Sequence, residues 1–227
     1  MSIPKVKALL FMKSYSERVR GKNMSLLCGR PLFHWILDTL IESGVIDEII
    51  LNTDSDEIAE NAKNNFDVTI HMRPDNLLNI QSNEAYQIMV YDINKTEGDY
   101  FIQTHSTNPL LKPQTIKEAL NIYFEKLDQN DSLFSVTNLQ TRLYDNKFKA
   151  INHDPNHLIK TQNLPYIYEE NSCLYVFSRH SFLENKNRIG KNPYLFPIDR
   201  YEAVDIDEKY DFLMAETLMQ NRIRKGI

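Results

Sequence analysis

Lys13-Ser14-Tyr15-Ser16-Glu17-Arg18-Val19-Arg20-Gly21-Lys22-Asn23 places four cations, two serines and an asparagine within one short loop. Cations and short polar donors at that density suit a phosphate-bearing ligand. The loop is not a Walker A motif: no glycine precedes Gly21-Lys22, and Asn23 stands where a Ser or Thr would hold magnesium. The chain holds only 6 glycines, too few for a glycine-rich cradle of backbone amides, so the cations must do more of the work. Composition alone fits a solvated basic loop about as well. Far downstream, Asp205-Ile206-Asp207 sets two carboxylates two residues apart, hence on one side of an extended segment, an arrangement suited to one Mg2+ with oxygen ligands. Helix capping by Asp207 is the competing reading.

The surrounding pattern says what must position these groups. Val6 to Met12 is an apolar run without helical period, as in a buried parallel strand, and the basic loop follows it. Pro31 opens a helix with apolar residues at helical spacing that stops at Gly44. Ile46 to Asn52 reads as a strand, and Thr53-Asp54-Ser55 as caps of a helix to about Lys63. Val68–His71 and Tyr100–Thr104 are further strands, Asn83–Lys95 a helix, and a helix from Pro113 to about Lys126 leads to a strand at Leu133–Val136. Strands then follow at Leu174–Phe177 and Tyr194–Pro197, and a last helix at Glu208–Met219, capped near Asp207. Such alternation predicts an α/β fold, a Rossmann-like, doubly wound, mostly parallel sheet with ligands beyond the carboxyl ends of its strands. Lys13 to Asn23 and Thr104 to Pro109 should then face one crevice. One domain over 1–227 is expected. Within it the polar stretch 138–165 loses the pattern and reads as a small extension, an arm or β-hairpin for dimerisation or a lid.

A formal charge of -5, from 26 basic and 31 acidic residues among 227, argues against a partner held by its nucleic-acid backbone. No apolar stretch reaches the length of a membrane span, and the N-terminus lacks a signal-peptide core, so a cytoplasmic protein is expected. Cys28 and Cys173 lie far apart without ligand spacing, which disfavours a zinc site or a disulfide.

The loop and its context resemble the acylneuraminate cytidylyltransferases. That family's loop, Ala-Arg-x-x-Ser-Lys-x-x-x-x-Lys-Asn, is matched here by Lys13, Ser16, Lys22 and Asn23, and its Gly-Lys-Pro-Leu turn by Gly29-Arg30-Pro31-Leu32. The likeness continues through Asn52-Thr53-Asp54-Ser55-Asp56-Glu57-Ile58-Ala59-Glu60 and Arg73-Pro74-Asp75-Asn76-Leu77, and ends at Val204-Asp205-Ile206-Asp207 with Asp211 and Glu216. It covers nearly the whole chain in order. Several positions depart from the pattern: Lys13 replaces an arginine, Arg20 stands at a frequent proline, His105 falls on the family glutamine, and Thr161, beside Lys160, falls on an arginine.

The resemblance implies a Mg2+-dependent transfer of CMP from CTP to the anomeric hydroxyl of a 2-keto sugar acid, with release of pyrophosphate, by a homodimer. It implies that Lys13 and Lys22 hold the triphosphate and that Ser16, Arg18 and Asn23 orient it. Arg73 and Ser82 match nucleotide-side positions, and Asp205 and Asp207 the metal site. Gln103, His105, Gln162 and Asn171 become acceptor candidates, with Gln103 and His105 able to share one face of a strand. Lys22 should sit beside a helix start, where backbone amides favour an anion. Arg188, Lys191 and Arg200 read as surface cations. A nucleotide-sugar glycosyltransferase, which also uses Asp-x-Asp, and a non-catalytic nucleotide-sugar-binding protein are the alternatives.

Overall fold

The computed structural model describes residues 4–15, 18–78 and 84–226. In chain order the strands and helices are β1 (Val6–Met12), the two-residue β2 (Leu26–Leu27) and β3 (Arg30–Pro31), α1 (Leu32–Ser43), β4 (Glu48–Thr53), α2 (Asp56–Asn65), β5 (Thr69–Met72), α3 (Glu84–Lys95), β6 (Tyr100–Thr104), α4 (Pro113–Glu125), β7 (Ser132–Leu139), β8 (Ile167–Ser178), α5 (Arg179–Asn185), β9 (Pro193–Pro197) and α6 (Lys209–Lys225). Seven of the strands form one sheet in the order β5-β4-β1-β6-β8-β7-β9. β8 alone runs antiparallel to its neighbours β6 and β7. The order reverses at β1, which pairs in parallel with β4 on one side and β6 on the other. At such a reversal the connections leave in opposite directions and open a crevice past the carboxyl ends.

Residue alternation along β1 buries both faces of the sheet. Val6, Ala8, Leu10 and Met12 pack with residues of α1, α2 and α4, whereas Leu9 joins Met89 and Ile93 of α3 and Phe182 of α5. This is why the segment reads as a continuous apolar run. Gly44 ends α1 at φ 64°, a left-handed conformation that glycine adopts without a Cβ clash, and the Ser55 side chain caps α2 by accepting from the Ile58 N–H.

The structure adds to or departs from the expectations at three places. The final helix is capped beside Asp207, as expected, but the cap is Glu208 and not Asp207 itself: a capping box joins Glu208 to Asp211, whose Oδ2 accepts the N–H groups of Asp207 (3.0 Å) and Glu208 (2.7 Å). That leaves the Asp207 side chain available for other work. The strand expected at Leu174 starts at Ile167, and β7 runs on to Leu139, so 138–165 begins inside a strand. Pairing of Val136–Leu139 with Ile167–Glu170 makes a ribbon that single-strand periodicity could not show, because both strands carry polar residues there. Beyond it lie one isolated antiparallel bridge, Tyr144 to Ala150, and a short 3-10 turn at Thr161–Asn163. Third, α5, capped by Ser178, had no expected counterpart.

Candidate functional site

A cleft of about 700 Å³ opens past the carboxyl ends of β1 and β6 and is lined by Lys13, Arg18, Lys22, Asn23, His105 and Thr107, among others. The two loops expected to share a crevice do so. Their junction is a pair of hydrogen bonds through one amide: Asn23 Nδ2 donates to the Lys13 carbonyl (3.1 Å), and the Ser106 hydroxyl donates to Asn23 Oδ1 (2.7 Å). Asn23 is buried, and its amide stitches one loop to the other. Lys22 is not at the start of α1. It opens a three-residue 3-10 turn after Gly21 at φ 64°, and the N–H of Lys22 bonds to the Val19 carbonyl, that of Met24 to the Gly21 carbonyl, and that of Ser25 to the Gly21 and Lys22 carbonyls. Those amides are thereby spent, and side-chain cations line the cleft.

The Asp-Ile-Asp triplet is held by its middle residue. Ile206 is fully buried in a cluster with Leu27, Leu32, Leu110, Ala215 and Met219, which ties α6 to the β2–β3 turn. Its N–H donates to the Thr107 carbonyl (2.9 Å), and its own carbonyl accepts from Lys22 Nζ (2.6 Å). With Ile206 driven inward, the Asp207 carboxylate turns the other way, toward the cations. Asp207 Oδ1 lies 3.1 Å from Arg18 Nη2 and 3.6 Å from Lys22 Nζ, and Glu208 lies 3.8 Å from Arg18. Asp205 is largely buried, and its Oδ1 has no hydrogen-bond partner among the described residues. Burial pushes its carboxyl above the usual range, and Asp207 and Asp211 add to this, while Thr107 and Lys22 pull the other way. A buried carboxylate oxygen without a partner is costly unless something cationic meets it. No group of three or more His, Cys, Asp or Glu side chains able to hold a metal occurs among the described residues. Two carboxylates, with water and phosphate oxygens completing the shell, suit Mg2+, which keeps several waters and binds one or two protein carboxylates.

On the β8 side of β6, Gln103 and His105 meet as their spacing predicted, Nε2 to Nε2 at 2.9 Å. Arg188, a pure donor, gives its Nη1–H to Gln103 Oε1 (2.8 Å), which fixes the amide so that its nitrogen must donate to His105. His105 then accepts at Nε2 and carries its proton at Nδ1. Burial, with Arg188 and Lys22 nearby, pushes His105 down to about 4 from 6.5. Because the folded chain binds this proton less readily than the unfolded chain, stability from this site is complete above pH 6.5 and is lost as pH falls toward 4. The loss amounts to up to about 3 kcal/mol. Urea unfolding at pH 7 and 4.5 should show His105→Gln losing less stability than the wild type over that interval. Equal losses would mean that His105 does not titrate in this way.

Other expected site residues sit elsewhere or are spent on structure. Arg73 is buried, donates to Asn52 Oδ1 (2.9 Å) and to the Met12 carbonyl (3.1 Å), and so braces the ends of β1 and β4. Asn171 accepts from the Ser135 hydroxyl (2.6 Å) and donates to the Thr137 hydroxyl (3.1 Å), locking the bulge where the β7–β8 register shifts. Both ends of its amide are used, so its part is to shape the sheet. Gln162 is exposed on the 3-10 turn and does not line the cleft, and its carbonyl accepts from Gln140 (2.8 Å). Ser16 and Ser82 lie outside the described residues.

A basic loop and a paired carboxylate set across a topological switch point are what a nucleotidyl-transferring site needs, and the sequence matches a cytidylyltransferase family model over residues 8–224. The chain belongs to the cytidylyltransferase family. It is 22% identical over 232 residues to an N-acylneuraminate cytidylyltransferase of Escherichia coli, covering 98% of this chain but 54% of that protein. The chain thus spans about half the length of that relative. It is 25% identical over 230 residues to the CMP-N,N'-diacetyllegionaminic acid synthase of Legionella pneumophila, covering 95% of this chain and 97% of that one. The fold is that of a CMP:2-keto-3-deoxy-manno-octonic acid synthetase solved with CTP, with a TM-score of 0.71 at 12% identity over 96% of this chain and 99% of that one.

Proposed function

We propose that this cytidylyltransferase joins CMP from CTP to the anomeric hydroxyl of a 2-keto sugar acid of the nonulosonate type and releases pyrophosphate. The observation that carries this reading is Lys22 bridging the basic loop to Asp205-Ile206-Asp207 at the mouth of the cleft. Relatives named for sialic- and legionaminic-acid activation support the acceptor class. Lys13, Arg18 and Lys22 supply positive charge for the triphosphate, and Asn23 keeps their loop fixed against Ser106, so the charge is in place before reaction. Asp205 and Asp207 would hold Mg2+, which supplies charge neutralisation at the phosphate oxygens. His105, neutral across the working range, offers a hydrogen bond rather than a charge. Pyrophosphate release from CTP with N-acetylneuraminate, N,N'-diacetyllegionaminate and 2-keto-3-deoxy-manno-octonate tests the assignment. No release with any of them, with or without Mg2+, would overturn it.

The same proposal includes a homodimer. The segment between β7 and β8 exposes Phe148 (89%) and Leu158 (81%) as well as Tyr144, Ile151 and Tyr166, and Tyr168 at the start of β8 is exposed too. A polar segment that carries this much outward apolar surface is suited to a second copy of the chain. Sedimentation at micromolar concentration should give a dimer that Phe148→Asp together with Leu158→Asp dissociates. A fully active monomeric wild type would refute it. No helix among the described residues is long and apolar enough to cross a membrane.

A further inference from the structure

Arg188 touches the wall of the site without entering the cleft. α5 ends at Lys186 in a left-handed conformation (φ 52°), and the chain that follows is pinned beside the start of β7: the Gly190 N–H donates to the Ser132 hydroxyl (2.8 Å) and the Lys191 N–H to Asp131 (2.7 Å). Arg188 thereby lies in a separate hollow of about 290 Å³ beside α3 and α5, with Tyr86, Met89 and Phe182 in its wall. Its guanidinium sits over the Tyr175 ring, 3.5 Å from the centroid, and 3.8 Å from Glu170. These two contacts hold it in place, and its Nη1–H falls on Gln103 Oε1 (2.8 Å).

That bond decides what happens on the other side of Gln103. A guanidinium can only donate, so the end of the amide that faces Arg188 must be the oxygen, and the NH2 end then faces His105 Nε2 at 2.9 Å. Turning the amide over would set donor against donor at Arg188, and a proton on His105 Nε2 would do the same at His105. Gln103 is buried, so bulk solvent relieves neither clash. With Nε2 committed as an acceptor, the imidazole proton sits on Nδ1. Burial and the positive charges of Arg188 and Lys22 also disfavour the imidazolium. His105 lines the cleft with Lys22, Asn23 and Thr107, and its Nδ1 has no hydrogen-bond partner among the described residues.

We propose that Arg188 is a positioning residue that acts through Gln103 to hold His105 in its Nδ1–H tautomer, so that the cleft presents a fixed hydrogen-bond donor to an oxygen atom of a bound substrate. The substrate half of this inference rests on the cytidylyltransferase reading, whereas the tautomer half stands on the contacts alone. A donor fixed in this way selects for oxygen, because an amide N–H or an ammonium placed at the same point would meet proton with proton. Phosphate, hydroxyl and carbonyl oxygens all qualify, and the proposed substrates carry each of them.

The test uses the whole chain labelled with 15N-histidine and read by long-range 1H–15N spectra at pH 7, the His105 signals being assigned by their loss in His105→Gln. Wild-type His105 should show a protonated Nδ1 and an unprotonated Nε2. Gln103→Glu keeps the shape and pairs with Arg188 but offers only acceptors, so it should place a proton on Nε2. Arg188→Met keeps an apolar chain over Tyr175 and lets the amide turn, so it should give a mixture of tautomers, whereas Arg188→Lys, which still donates, should restore Nδ1–H alone. With whichever of the three sugar acids is turned over best, kcat/KM should fall by about 10-fold in Arg188→Met, the scale of one hydrogen bond, and Arg188→Lys should recover most of it. The Nδ1–H resonance should move downfield on addition of CTP or of the acid, and the one that moves it carries the oxygen. An Arg188→Met spectrum that keeps Nδ1–H alone makes Arg188 a brace, whatever its turnover, and overturns the inference, as does a wild-type His105 protonated on Nε2. Mixed tautomers with undiminished turnover, or a resonance that neither ligand moves, overturn the substrate half. A wild type that releases no pyrophosphate with any of the acids overturns the cytidylyltransferase reading and that half with it, while the spectra still decide whether Arg188 sets the tautomer.

Discussion

Asp205→Asn lowers pyrophosphate release by about 10³-fold or more and leaves the protein as stable as the wild type or more so. The two halves of this expectation have one cause. Asp205 carries a buried oxygen without a partner, and burial makes its charged form unfavourable in the fold. Replacing the carboxylate with an amide of the same shape relieves that cost, yet removes one of the two charges available to hold Mg2+ at the reacting phosphate. Sites of this kind trade stability for chemistry. Asp207→Asn should lose activity to a similar degree without the gain in stability, because its carboxylate is neutralised by Arg18 and Lys22 in the fold. Thermal unfolding and Mg2+-dependent turnover measured on both variants decide the matter. Near-normal turnover in both would sink the metal assignment.

Lys22→Ala should lower turnover or CTP affinity by about 10² to 10³-fold, the scale of losing one preorganised group that stabilises developing charge. The Lys22 side chain is 12% exposed and pinned between the Ile206 carbonyl and Asp207, so it meets a ligand already ordered. Arg20→Ala removes the same formal charge from the same loop, but Arg20 is exposed and does not line the cleft, so its effect should stay within about twofold. Lys13→Arg should be tolerated, since a guanidinium keeps the charge and adds a second parallel hydrogen bond to phosphate. If Lys22→Ala binds CTP as the wild type does, the nucleotide sits elsewhere and the loop is a solvated basic turn.

The layout of the sheet was legible in the sequence wherever local physics decides it. The apolar run at Val6–Met12, the αL stop at Gly44 and the Ser55 cap each act within a few residues, and the helix expected from Pro113 ends within a residue of its expected end. The basic loop was legible for the same reason, as its cations are neighbours in the chain, and so was the meeting of Gln103 with His105 across one strand face. Where long-range contacts decide, the sequence was silent. Nothing near Asn23 or Asn171 says that each amide would be used up by a distant hydroxyl, and nothing near Arg73 says that it would brace two strand ends. The Asp-Ile-Asp triplet was visible as chemistry, but only burial of Ile206 against α6 and its bond to Thr107 bring it to Lys22. Arg188 went furthest astray: in the sequence it is one of several cations among polar residues. Its place is set by Tyr175 and Gln103, side chains brought beside it by the antiparallel pairing of β6 with β8, and an antiparallel insertion into a parallel sheet leaves no local mark in the sequence.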